Sequence, residues 1–242
     1  MTTLRRGGLI VFIGPVGAGK TTHMNLLASI LLSNNISVKT TCIKRGFLSA
    51  TFEKLLVKLI YRKNNIIKKV YPLELLLRGS PESIKKLLII WFILDFMSLC
   101  IQHLSTILSI KIRKKVIIIE ESLISTILDY LYILHKLKIS MKNKHTRNLA
   151  HSLMSTLVTM YSKQHPYIVF YISCEYDELV KRWIKRGRGE ISLLYIYMQK
   201  FLIKRLCKQL GIYNCIEVNS SSSIVDTQKE ILRNIIRLAH QI

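Results

Sequence analysis

Apolar residues along this chain fall into short continuous runs separated by longer amphipathic stretches, and that rhythm sets the expected fold. Strand-like runs occur at 9–13, 36–43 (ISVKTTCI), 115–120 (KVIIIE), 167–173 (YIVFYIS) and 213–218 (YNCIEV). The segments between them have helical spacing and predict helices over 20–34, 51–63, 83–110, 122–138, 147–164, 175–186, 191–210 and 224–240. Strand-then-helix alternation is the βαβ rhythm of a parallel sheet. The four later runs are β-branched or aromatic-rich and nearly continuous in apolarity, as expected for strands covered on both faces. The pattern predicts an α/β chain with a five-stranded parallel sheet in a single domain, residues 1–242. Ser80-Pro81-Glu82 reads as a helix start, with Ser80 as cap and Pro81 in the first position. Ser220–Ser223 follows the last strand and reads as the loop that caps the closing helix.

Half of the residues are apolar, enough for one sizeable core. The run LLIIWFIL at 87–94, with FMSLCI after Asp95, is cut by Asp95, Gln102 and His103. That falls short of the roughly 18–20 uninterrupted apolar residues of a membrane span, so a core helix and no membrane span are expected. Cys42, Cys100, Cys174, Cys207 and Cys215 form no C-x-x-C pair and sit mostly in apolar runs, which predicts buried reduced thiols. The N-terminal MTTLRRGG passes straight into the first strand, so no signal peptide and a cytoplasmic location are expected. The formal charge of +23, from 37 Lys+Arg against 14 Asp+Glu, suggests polyanionic company. Yet the cations are scattered through the helices, and a lysine/isoleucine bias accounts for that spread without a nucleic-acid partner, the favoured of the two readings.

Candidate chemistry enters at three places. In LIVFIGPVGAGKTT, the first strand feeds into Gly14-Pro15-Val16-Gly17-Ala18-Gly19-Lys20-Thr21, a complete Walker A pattern, followed by Thr22. Glycines let the backbone close on a phosphate chain, and the N–H groups of the turn and the first helical turn point at it. Lys20 would neutralise the β/γ-phosphates and the Thr21 hydroxyl would ligate Mg²⁺. The third strand ends in two carboxylates, VIIIEESLIS, in the Walker B form, where an acid at a strand's C-terminal edge holds Mg²⁺ directly or through water. Glu120 is the candidate, with Glu121 directed to the opposite side by strand alternation. Finally, Arg182 and Arg186 share a helical face and Arg188 lies on the Gly-flanked turn beyond, a cationic lid over about 182–192 able to neutralise charge during phosphoryl transfer.

These three ordered segments resemble the thymidylate kinase and deoxynucleoside kinase superfamily of P-loop kinases, over about residues 9–219. The resemblance implies the three-layer P-loop nucleoside triphosphate hydrolase fold, with ATP and Mg²⁺ as cofactors and a nucleotide or nucleoside as acceptor. It assigns Lys20 and Thr21 to the donor phosphates and metal, and Arg182, Arg186 and Arg188 to the lid. It matches Ser125 to a substrate-side serine and IEVNSSSS to the segment bordering the adenine. The chain departs from the family in two places. Thymidylate kinases carry Asp-Arg and deoxynucleoside kinases Glu-Arg where this chain has Glu120-Glu121, and Asp95 is followed by Phe96 rather than arginine.

A nucleoside kinase of this group places a basic carboxylate after the second strand, whereas this chain has Ile43-Lys44-Arg45-Gly46. Lys44 and Arg45 suit an anionic acceptor phosphate. The expected activity is therefore that of a nucleoside monophosphate kinase, thymidylate-kinase-like, converting dTMP and ATP to dTDP and ADP. The alternative is a P-loop ATPase or nucleotide-binding protein without acceptor specificity, associated with nucleic acid. A homodimer is a candidate assembly.

Overall fold

The computed structural model describes residues 7–42, 81–121, 123–136, 167–185, 193–209 and 215–241, with isolated positions at 48, 51, 52, 55, 138, 152, 155, 156 and 159. Five strands are described: β1 (Gly8–Ile13), β2 (Val38–Cys42), β3 (Val116–Glu120), β4 (Tyr167–Ser173) and β5 (Cys215–Asn219). Among the described residues six helices join them: α1 (Lys20–Ser33), α2 (Pro81–Lys111), α3 (Leu123–Lys136), α4 (Tyr176–Lys185), α5 (Leu193–Gln209) and α6 (Ile224–Gln241). The strands form one sheet in the order β2-β3-β1-β4-β5. Every pairing is parallel, so the predicted α/β architecture is the observed one. The expected helices at 51–63 and 147–164 lie outside the described residues apart from isolated positions.

Alternation along β1 supplies both layers of the core. Ile10 and Phe12 join Ile118, Phe170, Ile172 and Val218 beneath α1 and α6, which contribute Leu27, Leu31, Ile231 and Ile235. Leu9, Val11 and Ile13 face the other way and meet Ile117, Ile119 and Val169, covered by Leu99 of α2, Leu128 of α3 and Ile203 of α5. Each such side chain contributes about 1.5–3 kcal/mol by leaving water. The rings of Phe12 and Phe170 stack with centroids 5.5 Å apart, adding cohesion between neighbouring strands. β1 is buried along its full length, the signature of a central parallel strand.

The expectation that all the later strands are covered on both faces is corrected at the sheet's margins. β2 is an edge strand in which Lys39, Thr40 and Cys42 are exposed, and Glu217 and Asn219 of β5 are exposed as well. Polar side chains on outer strands keep open hydrogen-bonding edges from templating further strands. The edge position also explains the exposed Cys42. All five cysteines are free thiols, but only Cys174 and Cys207 are buried.

α2 revises the reading of 87–103 as an interrupted apolar run. The helix runs on through Asp95, Gln102 and His103, and Leu87–Lys111 is long and apolar enough to cross a membrane by length and composition. In the structure one side packs on the sheet through Leu99 and Ile110. Asp95, Ser98, His103, Thr106 and Ser109 are buried along the same helix. Buried polar groups need partners: the Tyr130 hydroxyl donates to Asp95 Oδ2 at 2.6 Å, joining α3 to α2. Tyr195 donates to Asp129, joining α5 to α3.

Candidate nucleotide site

The C-terminal ends of β1 and β3 lie side by side, because their parallel register pairs Phe12 with Glu120. Ligands of open parallel sheets bind at this edge, beyond the carboxyl ends of the strands. Here the chain leaves β1 through Gly14, where φ is +153°. A Cβ on Gly14 would lie 2.3 Å from the carbonyl oxygen of Ile172 in β4, so only glycine lets the loop pass. The turn closes with the Ala18 N–H donating to the Pro15 carbonyl at 3.2 Å. Gly19, in the left-handed conformation at φ +88°, then starts α1 without a side-chain cap. No acidic residue occupies the first turn of α1. An N-terminus without a side-chain cap or an acid presents backbone donors and a positive dipole end to an anion.

Lys20 is buried, with its ammonium donating to the carbonyls of Gly14 at 2.9 Å and Pro15 at 3.1 Å. Its Nζ also lies 3.5 Å from Oε1 of Glu121. Thr21 donates its hydroxyl to Oε1 of Glu120 at 2.6 Å. The Walker A and Walker B candidates are therefore joined in space as the sequence suggested. A hydroxyl and a carboxylate converging in this way could hold Mg²⁺, a hard cation that takes few protein oxygens and keeps water and phosphate ligands. Among the described residues no cluster of three or more His, Cys, Asp or Glu that could hold a metal ion is present.

Glu121 departs from expectation. Strand alternation directed it away from Glu120, but β3 ends at Glu120 and Glu121 adopts φ +58°. Its N–H still donates to the Phe12 carbonyl at 2.9 Å, continuing the ladder by one bond while the backbone turns. The carboxylate thereby faces Lys20 and is buried. Both carboxylates consequently border the phosphate loop.

Arg182, on α4, ties three segments together. Its Nε donates to Glu178 at 2.8 Å, Nη1 to the Gly17 carbonyl at 3.4 Å and Nη2 to the Ser220 carbonyl at 3.1 Å. It links the phosphate loop to the serine loop after β5. Lys44, Arg45, Arg186 and Arg188 lie outside the described residues. Ser125 is buried in the first turn of α3, just beyond the paired carboxylates, and Thr22 is exposed on α1.

Two supports were missed in the sequence. Gln199 of α5 is buried, and its Oε1 accepts the Val16 N–H of the phosphate loop at 2.9 Å. A polar residue in step with the buried Tyr195, Ile196 and Ile203 was the available signal. His23, one turn into α1, is also buried, with Nδ1 3.0 Å from Gln228 Oε1 of α6. Burial holds its pKa below 6.5, so the neutral imidazole donates Nδ1–H to the amide oxygen. Its ring carbon Cδ2 lies 3.6 Å from where a Cβ on Gly19 would be, directly under the loop.

A five-stranded parallel sheet with a glycine loop after β1, a buried lysine at the start of α1 and an acid at the end of β3 defines a P-loop nucleotide-binding fold. Among solved structures, the chain is similar to deoxyadenosine kinase from M. mycoides, determined with bound dATP. The match has a TM-score of 0.58 and 17% sequence identity, and covers 94% of this chain and 98% of that one. The fold is thus shared with a P-loop deoxynucleoside kinase along nearly its whole length, in keeping with the resemblance read from the sequence. No family model matches the chain, and no curated protein matches it in sequence.

Proposed function

We propose that this chain is an ATP-dependent phosphotransferase whose acceptor is a nucleoside or a nucleoside monophosphate. The observation that carries the reading is the convergence of Lys20, Thr21, Glu120 and Glu121 on one loop at the sheet's C-terminal edge. Lys20 offsets charge on the donor's terminal phosphates, and the Thr21 hydroxyl with Glu120 holds Mg²⁺, which neutralises charge that builds during transfer. The shared fold with a deoxyadenosine kinase supports kinase over simple hydrolysis.

Two acceptors are in play. The carboxylate pair supports an uncharged nucleoside, because among the described residues Glu120 and Glu121 place two acids beside Lys20, where a second phosphate would meet like charge. Lys44 and Arg45 support the thymidylate-kinase-like reading, with dTMP as acceptor. A coupled ADP-release assay across the common deoxynucleosides and their monophosphates separates them. Stimulation by nucleosides supports the first, and stimulation by dTMP the second. Turnover that no acceptor changes, or that DNA stimulates, would replace both with the ATPase reading.

A further inference from the structure

Building on the phosphotransferase reading, we propose that Glu121 makes nucleotide binding at this loop dependent on a divalent cation, with Lys20 held by protein acceptors until metal-loaded nucleotide displaces them. The Lys20 ammonium donates to the carbonyls of Gly14 and Pro15 and forms an ion pair with the carboxylate of Glu121 at 3.5 Å. The side chains of Lys20 and Glu121 are only 5% and 8% exposed, so solvent and salt screen their attraction weakly. The arrangement is fixed by the backbone, since the left-handed turn at Glu121 and its N–H bond to Phe12 aim the carboxylate at the loop.

A triphosphate entering this loop must therefore take Lys20 from Glu121 while its own oxygens approach two carboxylates. The buried Glu121 carboxylate, weakly screened, opposes that entry against the pull of the α1 N-terminus, while the partly exposed Glu120 adds a smaller share. A hard divalent cation reverses the sign, because carboxylate and phosphate oxygens are its preferred ligands. The same two acids that repel a bare nucleotide then attract one carrying its metal. Glu121 is in this sense a positioning residue: it acts through Lys20 and through the charge the crevice presents.

The test is calorimetric titration of ATP into the full chain in excess Mg²⁺ and in EDTA, for the parent, Glu121→Gln and Glu121→Asn, the latter because Asn tolerates the left-handed backbone. The parent is expected to bind ATP at least about 30-fold more tightly with Mg²⁺ than in EDTA. Either variant should narrow that ratio at least about tenfold, mainly by tighter binding in EDTA. A variant that keeps the parent's ratio, or loses affinity equally in both buffers, overturns the proposal. If thermal melts show that neither variant folds, the parent's own ratio decides, and a value below about tenfold overturns it. A parent that binds ATP in neither buffer overturns the phosphotransferase reading beneath it.

Discussion

Gly14 shows how one residue fixes the site's geometry. With 2.3 Å between a notional Cβ and the Ile172 carbonyl oxygen, Gly14→Ala forces the loop away from β4. Overpacking of this kind costs about 1–3 kcal/mol, more where backbone rather than side chain must yield. The variant should have a lower urea midpoint, with an unfolding free energy reduced by at least about 1 kcal/mol, and lose ATP binding measured by calorimetry. An unchanged midpoint would mean that the loop does not pass this close to β4. At this scale the proximity of the motif residues was legible, because Lys20, Thr21 and Glu120 belong to local patterns that the sheet's parallel register brings together. Glu121 was not: alternation holds only while the strand continues, and nothing in VIIIEES marks residue 121 as the first left-handed position.

At the scale of elements, the phosphate loop is supported by helices remote in sequence. Gln199 reaches Val16 across 183 residues of chain, so α5 acts as a buttress for the loop after β1. Gln199→Ala leaves a partly buried N–H without its acceptor, a loss of about 1–3 kcal/mol. Because the loop's shape is what suffers, the KM for ATP should rise while the far-ultraviolet circular dichroism stays that of the parent. A variant that loses stability but keeps the parent's KM would show Gln199 to be core packing alone. Strands and helices were readable because burial on both faces gives continuous apolar runs, and β1, β3 and β4 fall within a residue or so of expectation. β2 starts at Val38 rather than at 36, since Ile36 belongs to the close of α1, where its N–H bonds to the Leu31 carbonyl. The polar ties Tyr130–Asp95 and Tyr195–Asp129 were invisible, because they depend on which helices become neighbours.

For the whole molecule, the +23 charge and two buried histidines act together on stability. His23 and His103 both have pKa values lowered from 6.5, chiefly by burial. Between 6.5 and each folded value, the unfolded chain binds more protons than the folded one, so stability rises with pH across that window. Lowering the pH from 7.5 through 6.5 should therefore destabilise the protein, and the loss should level off once the pH is below the folded values. General repulsion grows in the same direction as carboxylates lose charge, but it acts between exposed groups and is screened by salt. The two contributions separate in denaturant titrations between pH 7.5 and 5 at low and high sodium chloride. Salt should recover the repulsive part and leave a slope near pH 6.5 that His23→Gln and His103→Gln each reduce. Both variants retaining the parent's slope at high salt would place the pH dependence on groups other than the buried imidazoles.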